Sequence, residues 1–292
     1  METEQVEEVL ILEDRQSKID QLISDLMDGS KTLSFSSLKA FRNSPNDFID
    51  YVFREKKQTD AMLLGTLIHC LVLEPEKFEE RYTVLDDEAK CIEIAGTDWQ
   101  EEGKKPRSTK KYKEWKAEFL STCTGEVIPL NQFQQATIIA ANITHNRAAK
   151  KILNLCPNRE VRLEWKFKNF GFTGYYDAGG SKIRVDIKKV PDASPRAAQR
   201  TIISMWYHGQ AAMYLTADGT FLPFYIICCD AKGGVSVHKL DKSLIEQGLE
   251  DYSNVVDKFN ECLLKESFNQ SYDFWAESYD GIFVCDKPAY MY

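Results

Sequence analysis

At 292 residues, with 43% hydrophobic and 12% aromatic residues, the chain has a globular composition and room for one large domain or two modest ones. No apolar run approaches the ~18 residues of a membrane span, and the acidic start METEQVEEV lacks the basic opening of a signal peptide. The net charge of −8 disfavours a nucleic-acid partner only while it is taken as an average. Nine acids against Arg15 and Lys18 give residues 1–30 a charge of −7, leaving −1 for the other 262. Eight cysteines without a C-x-x-C pair read as reduced thiols of a cytoplasmic protein.

In chain order, residues 1–30 form an acidic amphipathic helical extension, with Val6, Val9, Leu10, Ile19, Leu22, Ile23 and Leu26 as its apolar stripe. It ends at Asp28-Gly29 and either packs on the core, binds a partner, or docks on a basic surface. LSFSSLKAF (33–41) opens a domain over 31–292 with a serine-capped helix that Ser44-Pro45 breaks. DAMLLGTLIHCLVLE (60–74) reads as a buried helix ended by Pro75. Residues 85–108 look irregular, and helical spacing returns over 108–120 and 131–155. Strands are predicted at 160–168, 171–177 and 182–190, then a helix over 195–215, strands at 222–229 and 235–239, and a helix over 242–265. Helices, a strand meander, then helix, strand and helix predict a central sheet with helices on both faces.

Between Lys104 and Lys116 stand seven basic residues, among them Lys110, Lys111 and Lys113, opposed within the run only by Glu114. Such a run is either a solvated helix face or a track for DNA phosphates.

The hairpin GFTGYYDAGGSKIRVDIKKV (171–190) carries the chemistry. Lys182, Arg184, Asp186 and Lys188 alternate with Ile183, Val185 and Ile187, so the charged set shares an exposed strand face. A tight turn at Gly179-Gly180 puts Asp177 opposite Lys182, on that same face but about 13 Å from Asp186 along a flat ladder. Either a bend near Gly174 closes the gap, or Asp177 leaves the ladder and curls back. Two carboxylates brought together need a cation, and Mg2+ or Mn2+ suits them. A lysine beside that ion can orient an attacking water and offset charge on a phosphate.

Six segments in order carry a resemblance: LSFSSLKAFRNSP (33–45), GTLIH (65–69), RLEWKF with Glu164, GYYD (174–177), DIKK (186–189) and YHGQAAMY (207–214). Together they resemble the PD-(D/E)XK nuclease superfamily in its RecB-like branch, closest to RecE-type exodeoxyribonucleases of phages and prophages. The resemblance implies a restriction-endonuclease-like α/β core, a mixed sheet flanked by helices. It implies Asp177 and Asp186 as metal-binding carboxylates, Lys188 as the catalytic lysine, and His69 and Glu164 as further metal ligands. Gln210 and Tyr214 match a Q-x-x-x-Y helix motif lining the DNA and the active centre. Tyr207 shares their helix face at i, i+3 and i+7, whereas His208 points elsewhere.

The same resemblance implies Mg2+ or Mn2+, duplex DNA ends as substrate, 5′-to-3′ resection for phage-type recombination, a homo-oligomer and a single-strand annealing protein as partner. The setting would be the cytoplasm of a bacterial or phage-infected cell, without membrane attachment. Other roles for the same site are a single-strand exonuclease, an endonuclease, or a non-catalytic binding module. Ser44 stands where cluster-bearing relatives carry a cysteine, so no iron–sulfur cluster is expected. DIKK replaces the commoner D-x-K-Thr, making Lys189 unusual.

Overall fold

The computed structural model describes residues 2–55, 57–275 and 282, with side chains from Asp14 onward. Helix α1 (Glu2–Asp28) buries Ile19, Leu22 and Leu26, a stripe at i, i+3 and i+7, in the larger of two main cores. Arg15 donates to Asn46 at 2.7 Å and pairs with Asp50 at 3.2 Å, so the acidic helix lies against the following segment. Val6, Val9 and Leu10 fall outside the described side chains.

Helix α2 (Phe35–Asn43) starts at a reciprocal cap between Ser34 and Ser37. Ser44 ends it and at once caps α3 (Pro45–Phe53) by accepting from Asp47 N–H. Ser44-Pro45 therefore breaks one helix and starts another, because proline at the first helical position forfeits no needed hydrogen bond. Thr59 caps α4 (Asp60–Leu73), which buries Leu64, Leu67 and Ile68.

After α5 (Phe78–Arg81), strands β1 (Tyr82–Leu85) and β2 (Glu126–Pro129) pair in parallel as a small separate sheet. Between them α6 (Asp87–Ala95) and α7 (Lys110–Thr122) close around Cys91, Trp99 and Tyr112. The stretch 85–108 is thus partly helical, started by the Asp86 side chain at Ala89 N–H. The predicted helix over 131–155 is two helices, α8 (Leu130–His145) and α9 (Arg147–Leu153), because Asn146 caps the second.

The main sheet contains β3 (Asn158–Phe167), β4 (Phe170–Gly179), β5 (Arg184–Lys189), β6 (Phe224–Cys229) and β7 (Val235–Lys239), in that order. Only β5–β6 is parallel. Between those two run α10 (Pro195–Ser204) and α11 (Tyr207–Asp218), separated where fully buried Trp206 takes a left-handed backbone, φ 59°. Helix α12 (Lys242–Leu264) packs on α11, with Gly248 so close to the His208 carbonyl that a Cβ there would lie 2.6 Å from it.

One core gathers α1, α2, α11 and α12 with Phe172 and Tyr176 of β4; the other gathers α4, α8 and α9 with Val185 and Ile187 of β5. The architecture is a mixed five-stranded sheet flanked by helices. Among the described residues no helix is long and apolar enough to cross a membrane.

Candidate metal-dependent active site

Two hairpin registers place the acids. Phe167 faces Phe170 across a two-residue turn, Lys168-Asn169, and the ladder puts Glu160 opposite Asp177. On the other side Ala178 faces Val185 and Gly179 faces Arg184, which carries Asp177 opposite Asp186. The expected turn at Gly179-Gly180, with Asp177 facing Lys182, is therefore corrected by four residues, and the 13 Å gap of the flat-ladder reading disappears.

Packing explains the shift. Gly180 is buried where a Cβ would fall 2.1 Å from the Leu155 carbonyl oxygen. Its N–H reaches Ile183 O at 3.1 Å, and Ile183 is buried in the second core. Arg184 then clamps the loop, donating to Ile183 O at 3.0 Å and pairing with Asp218 of α11 at 2.6 Å.

The β3–β4 ladder is interrupted at the acids and resumes beyond them, and the β4–β5 ladder ends before them. Glu160 takes a left-handed backbone, φ 47°, unusual for a residue with a Cβ. Neither the Glu160–Asp177 nor the Asp177–Asp186 position is a bonded pair. Instead Asp177 Oδ2 accepts from Ile187 N–H, a side chain supplying the acceptor. The Ile187 carbonyl in turn accepts from His69 Nε2 of α4 at 3.0 Å. One backbone residue of β5 thereby orients two side chains from opposite elements.

That second bond fixes the imidazole. A carbonyl can only accept, so Nε2 carries the proton and the Nδ1 lone pair is left facing Asp177 Oδ1 at 3.5 Å and Glu160 Oε1 at 3.9 Å. One ligand atom each from His69, Glu160 and Asp177 lies within 4.8 Å of the others. Three acceptors converging on one point fit a divalent cation, with the other ring nitrogen held by a backbone carbonyl as in metal sites generally.

The charges agree. Burial, then the neighbouring Asp186 carboxylate, pushes the Asp177 carboxyl well above its ordinary value. Burial and then Asp177 push Glu160 up to about 7. Burial and the Lys188 charge push His69 down, so its neutral, metal-binding form is favoured.

Lys188 completes the set. Its Nζ sits 2.5 Å from Asp186 Oδ2 and 5.1 Å from the centre of the Tyr207 ring. Burial alone would lower this ammonium, but Asp186 and Asp177 outweigh it and hold it above its ordinary value. The expectation of an exposed face for Asp186 is corrected: it is 2% exposed.

From α11, Gln210 Nε2 donates to Tyr214 Oη at 2.8 Å, while buried Gln210 Oε1 has no protein donor. Burial, then Asp186, pushes the Tyr214 phenol up to about 12. Gly174 of GYYD makes room for that ring, since a Cβ there would lie 2.5 Å from Tyr214 Cε1. Its role is close approach, and not the bend that is one of the two ways expected from sequence to bring Asp177 to Asp186. His208, left out of the site by its angle, is buried beside Asp251 at 3.4 Å.

Four expected residues are not brought together with these. Glu164 is an exposed side chain paired with Arg162, four strand residues from Glu160 and so about 13 Å along the strand. Glu160 is the acid of β3 that faces His69, and Glu164 is corrected accordingly. Lys110 pairs with Glu114 at 3.6 Å and Lys111 with Glu93 of α6 at 3.3 Å. Neither they nor Lys113 lines the cavities beside the site.

Those cavities flank Lys188. One of about 810 Å3 includes Gly65, His69, Glu160, Arg81 and Tyr175; the other, of about 530 Å3, includes Lys39, Arg54, Tyr207 and Gln210. Ser36 and Lys188 belong to both. Sequence reasoning missed Glu160, Ser36 and Lys39; counting back from the Lys168-Asn169 turn finds the first.

Residues 34–272 match the model of a family described as a PDDEXK-like domain of unknown function (DUF3799). No curated protein matches the chain in sequence. A crystal structure of a "putative exonuclease" from Eubacterium rectale superposes with a TM-score of 0.54 at 14% identity, covering 88% of this chain and 90% of its own, a likeness of fold. The structure of SSO0001, at TM-score 0.27 and 12% identity over 73% of this chain and 97% of its own, carries no weight.

Proposed function

We propose, from the premise that this chain belongs to the PDDEXK-like family DUF3799, that its site hydrolyses phosphodiester bonds of DNA with the help of a divalent metal ion. The observation that carries the reading is the Ile187 backbone, which aims Asp177 and His69 at one point beside Lys188. His69, Glu160 and Asp177 would hold the ion, with Asp186 alongside. Mg2+ or Mn2+ bound there would supply Lewis acidity and neutralise charge at a phosphate.

The chain's own groups do the rest. Lys188 Nζ, kept protonated by Asp186, offers a proton donor and a positive charge to a phosphate oxygen or to the attacking water. Gln210 Oε1, buried without a protein donor, would accept from that water. Tyr214 fixes the Gln210 amide, and Gly174 lets the tyrosine in. Asp186 fixes the lysine and keeps it from wandering out of the site.

The finer reading is a RecE-like 5′-to-3′ exonuclease on duplex ends, acting in the cytoplasm as a homo-oligomer with a single-strand annealing protein. The ordered motifs support it, and the name of the Eubacterium rectale protein favours digestion from an end. Digestion of end-labelled linear duplex, linear single strand and closed circular DNA with Mg2+ or Mn2+ tests it. Stepwise loss of the 5′ label from linear duplex, with circles intact, is the expected result. Cut circles make the site an endonuclease, preferred single strands redirect the substrate, and no cleavage with either ion leaves a binding module.

A further inference from the structure

Among the described residues Lys39 of α2 makes no ion pair, although Asp47 and Asp50 line the same cavity. Lys39 is half-buried, and its Nζ reaches the Met205 sulfur at 3.7 Å and lies over the Tyr207 ring, 5.7 Å from the centre. Cations buried deeper in this fold sit on carboxylates, as Lys188 does on Asp186 and Arg184 on Asp218. Here the neighbours repel: burial, then the charges of Lys188 and Arg42, push the Lys39 ammonium down. A desolvated cation beside other cations is costly without an anion to receive it.

Its position says which anion. Lys39 and Lys188 both lie over the Tyr207 ring, so one aromatic plate holds two ammonium groups within 5.7 Å of its centre. Lys188 serves the bond that breaks, and a second phosphate of the same strand is the nearest anion a nucleic acid could offer. Ser36 lies one turn before Lys39 on the same helix face and lines both cavities. A strand leaving His69 and Glu160 would pass Ser36 and Lys188 and then meet Lys39.

We propose that Lys39 binds the phosphate next to the scissile one and so sets how the cut strand lies across Lys188. This rests on the nuclease reading. Lys39 touches no reacting atom and acts as a positioning residue. Its charge, held against Tyr207, gives a point contact that tolerates any base sequence.

The test uses full-length chain carrying Asp186→Asn to stop cleavage, with Mg2+ present. Linear duplexes with a single neutral methylphosphonate at successive linkages near one 5′ end are the probes. One linkage next to the cut position should bind about tenfold more weakly than unmodified DNA, in line with loss of a phosphate contact. Adding Lys39→Met, which keeps the apolar stem, should weaken binding of unmodified DNA by a similar factor and reduce the salt slope by about one. It should also erase the penalty at that one linkage, and Lys39→Arg should restore both. A penalty pattern unchanged in Lys39→Met overturns the assignment, as does an unaltered salt slope. A parent chain that binds no DNA overturns the nuclease reading itself, and this inference with it.

Discussion

The two hairpins that meet at Asp177 are built differently. The β3–β4 turn is short: Lys168 takes a left-handed backbone at φ 52°, ten-residue strands pair on either side, and the Lys168 ammonium reaches out to Ser253 and Asp257 of α12. The β4–β5 connection is longer, pairs over only two positions, and is fixed from outside by Leu155, Ile183 and the Arg184–Asp218 pair. Regular pairing gives the first hairpin a register written in its turn. The second is set by side chains distant in sequence, and it releases the strand just where carboxylates must leave the ladder.

The largest expected effects separate the acids by that geometry. Asp186→Asn and Glu160→Gln should each lower DNA cleavage by at least about a hundredfold, as loss of a charged group at a reacting centre does. Glu164→Gln should stay within about threefold of the parent, because its partner is the surface Arg162. Cleavage rates under single-turnover conditions decide it. Comparable losses at 160 and 164 would mean that β3 is shifted in the working enzyme. Asp186→Ala is a poorer probe, since it strands the buried Lys188 ammonium.

The same contrast explains what could be read from sequence. Alternation in β5 fixed the common face of Asp186 and Lys188, and helical spacing placed Gln210 and Tyr214 together. Asp177 and Asp186 were paired by motif, while the flat-ladder distance argued against them. The missing fact was that Gly180 packs on Leu155, a contact no local pattern encodes. Glu160 escaped for a different reason. It shares parity with Glu164, and alternation cannot choose between two acids four apart, although the Lys168-Asn169 turn could have done so. Helix α6 and the breaks at Asn146 and Trp206 were hidden because capping and a left-handed residue override amphipathic spacing.

Next in size are changes at the two close backbone approaches. Gly180→Ala drives a methyl into the Leu155 carbonyl and should cost about 1–3 kcal/mol of unfolding free energy, read by urea denaturation. Gly174→Ala strikes the Tyr214 ring, which can yield at the expense of its hold on Gln210. It should therefore reduce cleavage more than stability. A Gly180→Ala variant as stable as the parent would show that the loop is looser than its packing.

A smaller effect separates metal from protons. Glu160, ordinarily near 4.5, is raised to about 7, and Asp177 is raised too. Raised carboxyls favour the folded state below the ordinary value, and that contribution is lost as pH climbs through about 7. His69, pushed down, works in the opposite sense below its ordinary 6.5, but one imidazole faces two carboxyls. Metal-free protein should melt a few degrees lower at pH 7.5 than at pH 5. Mn2+ should raise Tm more at pH 7.5, and Glu160→Gln should shrink both differences. A Tm at pH 7.5 indifferent to Mn2+ would count against the His69, Glu160 and Asp177 site.

The smallest effect is expected where the sequence looks most like a DNA track. Between residues 82 and 126 the basic side chains number eight, but the acids number ten. Folding brings the two sets together: Arg107 meets Asp87 at 2.8 Å, Lys111 meets Glu93, and Lys110 meets Glu114. A lysine already paired with a carboxylate releases few counterions when a phosphate approaches, because the phosphate must displace the acid. Replacing Lys110, Lys111 and Lys113 together by alanine should therefore change the salt slope of DNA binding by less than one, although three charges are gone. Lys39→Met alone should change it by about one. Binding measured across a salt titration makes the comparison direct. If the triple variant loses two or three units of slope, the α7 face is a track after all, and the acids of α6 yield to DNA.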